Sequence, residues 1–338
     1  MRSLRLPIPD LPPDSFAVVM ASGIVAIAAR DQDWRTLDQV LTAIAVAAFA
    51  GLVVAGLLRV SRGRAPFSGS RRMPANDLRA LTFVAACAVL GARWPHESAW
   101  VAAVLVVAGL AWIVLAVMLI RAVHRHSHTY LRHRARGAWL LATVATAGLC
   151  ITASDLYSDT SVTFVLAIAG AAWLLALLAY IVVVSLILWR VWREGSIPAL
   201  FTPDAWILMG GLAIATLAGD KFVFALESAS AAATLTDVIK AVTVVTLVVA
   251  TAWIPVLIVG EILYMRDHHW TTRIDTAWWS AVFPLGMYSV TTRNSARELD
   301  LPFLSTVSLV FLCVALAAWA IVGVTIVVSW LHRRLAWR

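Results

Sequence analysis

The chain has 338 residues, of which 61% are hydrophobic and only 14% charged, with a mean hydropathy of +0.85 and a formal net charge of +8. A soluble domain carries about 25% charged residues, so this composition excludes a soluble globular protein and predicts a polytopic membrane protein. The positive charge lies mostly in polar loops, where it suits contact with anionic lipid, and it gives no reason to expect nucleic-acid binding.

Ten apolar segments follow one another and alternate in length. The odd-numbered segments have 14 or 15 apolar residues and the even-numbered ones 22 to 29. Because about 20 helical residues are needed to cross ~30 Å of hydrocarbon, the short segments are poorly suited to face lipid. We therefore predict one all-α transmembrane domain over residues 1–338, with an inner ring of five short helices around a pore and an outer ring of five long helices. The predicted helices are 15–30, 37–60, 77–93, 98–121, 137–154, 161–192, 204–221, 236–265, 277–293 and 302–332.

The short segments begin with similar sequences, which indicates an internal repeat. PDSF at residues 13–16 matches PDAW at 203–206, and IDTAW at 274–278 is similar. Equivalent starting positions recur 61 to 72 residues apart, at Phe16, Leu78, Trp139, Trp206 and Trp278. Five helical hairpins in series follow from this spacing. Acidic residues precede four of the starts and are predicted to cap their own helices: Asp14, Asp77, Asp204 and Asp275.

The distribution of Lys and Arg predicts the orientation. Twenty of the 27 basic residues lie in the two tails and the even-to-odd loops, and six lie on the opposite side. Loops rich in Lys and Arg stay in the cytoplasm. We therefore expect a multi-pass protein of the plasma (cytoplasmic) membrane with both termini cytoplasmic.

A basic residue ends four of the five inner helices on the outer side of the membrane. These residues are Arg30, Arg93, Lys221 and Arg293, and Ser154 takes the fifth position. A ring of positive charge at a pore mouth concentrates anions. The alternative is that each basic residue complements its own helix C-terminus and extends to the interface. Acidic neighbours weaken the positive field in either case: Asp31, Asp155 and Asp220.

The middle of each inner helix is uncharged. Candidate pore-lining residues are Met20, Gly23, Thr82, Thr143, Gly210, Gly211 and Gly286. The glycines could instead allow tight helix packing without a lumen. Phe83 and Phe283 share the fifth position after the repeat start, and Pro284 follows the second of them. Two aromatic rings at one level could form a hydrophobic gate, with Pro284 bending the helix, although the residues alone favour ordinary core packing for a Phe in a helical bundle.

Residue types needed for other chemistries are missing from the membrane interior. All eight histidines fall at helix ends or in loops, and no carboxylate lies at mid-depth. We therefore expect no enzyme activity, no cofactor and no metal site, and we interpret the histidine-rich stretch 124–133 as a solvated basic loop. Proton-coupled transporters usually carry a buried ionisable relay, so passive conduction of anions is favoured. The alternative is a proton-coupled carrier or exporter of dicarboxylate, sulfite or tellurite.

Three segments resemble the tellurite-resistance/dicarboxylate transporter family, which includes fungal malate and sulfite transporters and slow-type anion channels. They are SFAVVMASGIVAIAA (15–29), TPDAWILMGGLAIATLAG (202–219) and WWSAVFPLGMYSV (278–290). The resemblance implies five helical hairpins in quasi-fivefold symmetry around a pore, assembled as a homotrimer, that carries small inorganic or organic anions. It also implies that Phe283, in the WW-x-x-x-FP motif, occludes the pore. The inner helices of family members often have several Pro kinks, whereas among the inner helices here only the ninth has one, and Gly23, Gly148 and Gly210 are expected to supply the other bends.

Overall fold

The computed structural model describes residues 11–65, 78–125, 135–194, 202–267 and 278–335. Within these ranges the protein consists of ten α-helices and contains no β-strand. The helices are α1 (Ala17–Asp31), α2 (Arg35–Ser61), α3 (Thr82–Gly91), α4 (Ser98–Arg125), α5 (Leu141–Thr160), α6 (Thr163–Glu194), α7 (Ile207–Ser228), α8 (Ala233–Asp267), α9 (Trp279–Glu298) and α10 (Phe303–Leu335). Short 3₁₀ turns at Gly137–Leu140 and Pro203–Trp206 lead into α5 and α7. The predicted all-α class is confirmed for these residues.

Seven segments of the described chain are long and apolar enough to cross a membrane. They comprise the five even helices together with α5 and α7 and the turns before them. The three exceptions are α1 with 15 residues, α3 with ten, and α9, whose last two turns carry charged residues. Helix α1 is only about 22 Å long at 1.5 Å per residue, so it cannot by itself cover the hydrocarbon thickness.

Burial separates the odd helices from the even ones. In the apolar windows of α5 and α7, 94% and 83% of residues are buried, against 11% to 28% in the even helices. Helices α1, α3 and α9 are also buried along most of their length. The even helices instead expose many large aliphatic side chains, as a surface toward lipid tails requires.

The odd helices contact one another in a closed cycle. Helix α1 packs against α3, α3 against α5, α5 against α7, α7 against α9, and α9 against α1. Each of them also packs against the even helix that follows it in the chain. The cycle therefore brings the same ends of five helices together at the centre of the bundle.

Glycines mediate the closest approaches within this cycle. A Cβ atom added to any of four glycines would come within 2.6 to 2.9 Å of a side-chain atom on the neighbouring helix. The pairs are Gly23 with Val89, Gly148 with Ala88, Gly210 with Pro284, and Gly286 with Ile24. Small residues permit such contacts in membrane bundles, so the packing interpretation of these glycines is supported by their surroundings.

Trp and Tyr side chains of the even helices donate hydrogen bonds to the odd helices. Trp173 Nε1 donates to the carbonyl of Ala215 at 3.0 Å, and the Tyr180 hydroxyl donates to the carbonyl of Leu208 at 3.0 Å. Trp319 Nε1 donates to Ser22 Oγ at 2.9 Å. Because the alternative in lipid is an unsatisfied polar group, these bonds hold the two layers in register.

The prediction that acidic residues cap their own helices is wrong for the two that the structure describes. Asp14 and Asp204 make no side-chain cap bond to the helices they precede. Asp14 instead accepts from Arg79 Nη1 at 3.2 Å, and Asp204 accepts from the backbone N–H of Ala138 at 2.9 Å. Both carboxylates thus tie adjacent odd helices together at their N-terminal ends. The two other predicted caps, at positions 77 and 275, and most of the histidine-rich stretch lie outside the described residues.

Candidate functional site

A central cavity opens at the C-terminal ends of the odd helices. Its volume is about 190 Å³, and all five odd helices contribute to its lining. The inner part of the wall is apolar and includes Ile27, Ile151, Leu217 and Val290. The rim is charged: Arg30, Asp31, Asp155, Lys221 and Arg297. A solute entering from the mouth therefore passes a charged rim before it reaches an apolar interior.

One face of α9 runs from the rim of the cavity to its floor. Arg297, Asn294, Val290 and Met287 all line the cavity and follow one another at intervals of three or four residues. Phe283 is the next residue on this face, one helical turn below Met287, and only 2% of it is exposed. Phe283 therefore lies in the protein interior, one helical turn beyond the last cavity-lining residue of α9.

The same register on the other odd helices identifies the residues at the level of Phe283. One turn before the deepest lining residue of each helix stand Met20, Ala85, Val144 and Gly210. All four are buried, with Met20 at 2% exposure. Phe283 and Met20 are the two large side chains in this layer. These residues form a buried apolar level one helical turn beyond the cavity-lining residues.

Phe83 points away from this layer. It lies two residues before Ala85, which places it on the opposite side of α3 from the cavity-lining face. Its ring stacks on Phe49 of the outer helix α2 at 5.9 Å and meets the edge of Phe16 at 5.1 Å. These contacts support a packing role for Phe83.

The other predicted pore-lining residues lie in helix interfaces. Among the described residues, the cavity wall includes none of Gly23, Thr82, Thr143, Gly211 and Gly286. Thr82 donates to the carbonyl of Arg79 at 2.8 Å, and Gly211 lies against Tyr180. Thr143 is fully buried, and its hydroxyl has no hydrogen-bond partner among the described residues.

Two of the four basic residues predicted at the mouth line the cavity, and the other two do not. Arg30 and Lys221 line the cavity, whereas Arg93 and Arg293 are not part of its wall. Arg93 is held by Asp38 Oδ2 at 2.6 Å and by Thr42 Oγ1 at 3.0 Å, both on α2. The charge of Arg93 is thereby neutralised at the side of the bundle and adds little to the field in the cavity.

Arg297 lines the cavity and was missed by the sequence analysis. It is exposed, and no ion pair to it is found within the described ranges. The helical repeat that begins at Phe283 and passes through Met287, Val290 and Asn294 leads to this residue, so the α9 sequence contained the signal. Lys221, in contrast, is paired with Asp155 Oδ1 at 2.8 Å.

A smaller pocket of about 80 Å³ lies beside the cavity, between α7, α8 and α9. Asp220 lines this pocket and accepts from Asn294 Nδ2 at 2.9 Å, so a hydrogen bond separates the two spaces. The parts of the chain that the structure describes contain no group of three His, Cys, Asp or Glu residues able to hold a metal ion. The central cavity is therefore the strongest candidate site.

Comparisons with known proteins point to membrane transport. The family model of the voltage-dependent anion channel matches residues 10–327. A stretch of 142 residues, 42% of the chain, is 32% identical to an uncharacterized membrane protein of Mycobacterium tuberculosis and covers 72% of that protein. The same similarity is found in strain CDC 1551 / Oshkosh and in strain H37Rv.

Proposed function

The chain belongs to the voltage-dependent anion channel family, and from this premise we propose that it conducts small inorganic or organic anions passively through the centre of its five odd helices. In this proposal the odd helices form the inner ring, the even helices form the outer ring, and all ten cross the membrane as five hairpins. The closed cycle of contacts among the odd helices supports this arrangement. The burial of the odd helices explains how three of them function with short or partly charged sequences.

The observation that carries the proposal is the continuous face of α9. It joins a charged mouth at Arg297, an apolar wall at Val290 and Met287, and a buried aromatic ring at Phe283. A hydrophobic constriction blocks ions both sterically and by excluding water. Phe283 is therefore the proposed gate, together with Met20 at the same level. Pro284, the next residue of α9, has no backbone N–H and so removes one hydrogen bond of the helix.

The orientation and assembly are also part of the proposal. The excess of Lys and Arg in the tails and even-to-odd loops supports cytoplasmic termini in the plasma membrane. The C-terminal ends of the odd helices, and with them the cavity mouth, would then face outward. The family resemblance of residues 278–290 supports a homotrimer with one pathway in each protomer.

The proposal is tested by recording current from purified protein in planar lipid bilayers. A salt gradient across the bilayer should shift the reversal potential toward the equilibrium potential of the anion, and protein-free bilayers serve as the control. Cation-selective current, or no current from inserted protein, would contradict anion conduction. Uptake of a dicarboxylate into liposomes that requires a pH gradient would instead favour the proton-coupled carrier.

Replacing Arg297 by Gln should lower anion conductance, and the effect should be largest at low salt. A unit charge ~8 Å from a passing anion contributes about 0.5 kcal/mol in water, which corresponds to a roughly twofold change. At 1 M salt the Debye length falls to about 3 Å, so the difference from the unmodified protein should nearly vanish. Single-channel conductance at several salt concentrations measures both effects.

Arg35→Gln is the matched control for this prediction. Arg35 lies at the start of α2 near the same end of the bundle, is exposed, and is not part of the cavity wall. Its removal deletes the same charge outside the cavity and should leave conductance nearly unchanged. Equal losses in both variants would mean that only the overall charge of the mouth matters.

A further inference from the structure

The three acidic residues near the mouth have different surroundings. Asp155 is paired with Lys221, and Asp220 lies in the smaller pocket, where it accepts from Asn294. Asp31 lines the central cavity, and within the described part of the chain it has neither an ion pair within 4 Å nor a side-chain hydrogen bond. Among the described carboxylates of the cavity wall, it is therefore the only one that forms no ion pair.

Cations face Asp31 from two helices in addition to its own. Arg30 precedes it on α1, Arg297 and Arg293 come from α9, and Lys221 comes from α7. Arg30 Nη1 donates to the backbone carbonyl of Arg93 at 2.9 Å, so no carboxylate neutralises its charge there. The cavity wall thus contains two arginines without an ion-pair partner among the described residues, Arg30 and Arg297, together with the half-buried carboxylate of Asp31.

Two features of this position disfavour a carboxylate. Asp31 is the last residue of α1, and a carboxylate at a helix C-terminus is repelled by the helix dipole. The site is also partly removed from water, which disfavours an unpaired charge. The nearby cations oppose these two effects, so the carboxylate depends on the same positive charges that would attract an anion entering the cavity.

We propose that Asp31 is a tethered counter-anion that competes with the permeating anion for the positive charge of Arg30 and Arg297. The proposal rests on the anion-conducting function inferred above and assigns to one residue of this chain the control of anion affinity at the mouth. When Asp31 is present, the two arginines attract an anion without holding it strongly. An anion that binds too tightly would block the pathway, because conduction requires departure as well as entry.

Asp31→Asn tests the proposal when it is introduced together with Phe283→Ala, so that currents are large enough to measure. The anion concentration at half-maximal conductance should fall roughly twofold or more, since one unit of competing charge is removed from the cavity wall. The conductance at low salt should rise accordingly. Asp33→Asn is the control: Asp33 is two residues away, exposed and outside the cavity wall, and its backbone has φ of 61°, which Asn tolerates.

A double-mutant cycle separates competition from simple repulsion. If Asp31 acts by sharing the field of Arg297, the effect of Asp31→Asn should shrink when Arg297 is already Gln. An equal effect in both backgrounds would overturn the competition proposal, as would unchanged half-saturation in Asp31→Asn. Asp31→Ser provides a second removal of the charge if the Asn variant inserts poorly. Absence of anion current in every variant, including the parent, would instead overturn the proposed function.

Discussion

Replacing Phe283 by Ala is expected to raise anion conductance by about tenfold or more, which corresponds to removing a barrier of about 1.4 kcal/mol. The ring is buried one turn beyond the apolar end of the cavity, in a layer where Met20 is the only other large side chain among the described lining faces. Truncation opens this layer and admits water, so both the steric and the dewetting barriers fall. Bilayer recordings of both proteins at the same salt concentration measure the change.

Phe83→Ala is the matched control for the gate. It deletes the same ring from the opposite side of an odd helix, where Phe83 stacks on Phe49. This variant should lose stability without gaining conductance, because the cavity it creates lies between α3 and the outer helix. If Phe283→Ala also loses stability but conducts no better than the unmodified protein, Phe283 is a packing residue and the gate assignment is wrong.

Gly210→Ala should destabilise the protein by about 1 to 3 kcal/mol, the usual cost of overpacking a well-packed interior. An added Cβ would lie 2.7 to 2.9 Å from the Cβ, Cγ and Cα atoms of Pro284. Because a proline ring and backbone cannot yield as a flexible side chain can, α9 must move away from α7. That movement displaces the adjacent Phe283, so the variant should also conduct differently. The apparent melting temperature in detergent and the bilayer conductance measure the two effects.

Gly211→Ala is the control, at the neighbouring position of the same helix. Its added Cβ would make ordinary contacts, 3.5 Å from Tyr180 and 3.8 Å from Thr143. Ala is favoured over Gly within a helix by about 1 kcal/mol, so this variant should be as stable as the unmodified protein or more so. A similar loss of stability in both variants would show that the Gly210–Pro284 approach has no special importance.

Local features of the sequence were sufficient to predict the class and the family of the protein. Composition predicted a membrane protein, and the all-α class is confirmed for the described residues. The family resemblance is confirmed by the match over residues 10–327. The alternation of short and long segments predicted that the odd helices would be shielded from lipid by the even ones, because a short segment cannot span the hydrocarbon. In the structure the odd helices are buried and the even helices are largely exposed. The motif around residue 283 contains a Phe that is buried in the structure, and its role as a gate stays a prediction.

The surroundings of the other candidate site residues depend on contacts with residues distant in the chain, so the sequence could not distinguish among these candidates. Position within the repeat made Phe83 and Phe283 equivalent, yet in the structure Phe83 is partly exposed and stacks on Phe49, whereas Phe283 is buried on the face of α9 that also carries the cavity-lining residues. Four basic residues at similar positions were also indistinguishable. Only the fold brings Asp38 within 2.6 Å of Arg93 and leaves Arg297 facing the cavity.

The sequence by itself therefore determined the membrane class, the helical secondary structure and the family, since these follow from hydropathy, periodicity and motifs within single segments. The tertiary structure decided which residues share the cavity, which glycines serve packing, and which charges are neutralised. Those properties depend on helix rotation and on contacts such as Gly210 with Pro284 and Lys221 with Asp155, whose partners lie more than 60 residues apart. Hydropathy and periodicity describe each helix alone, whereas the charge and width of the cavity arise only from the five odd helices together.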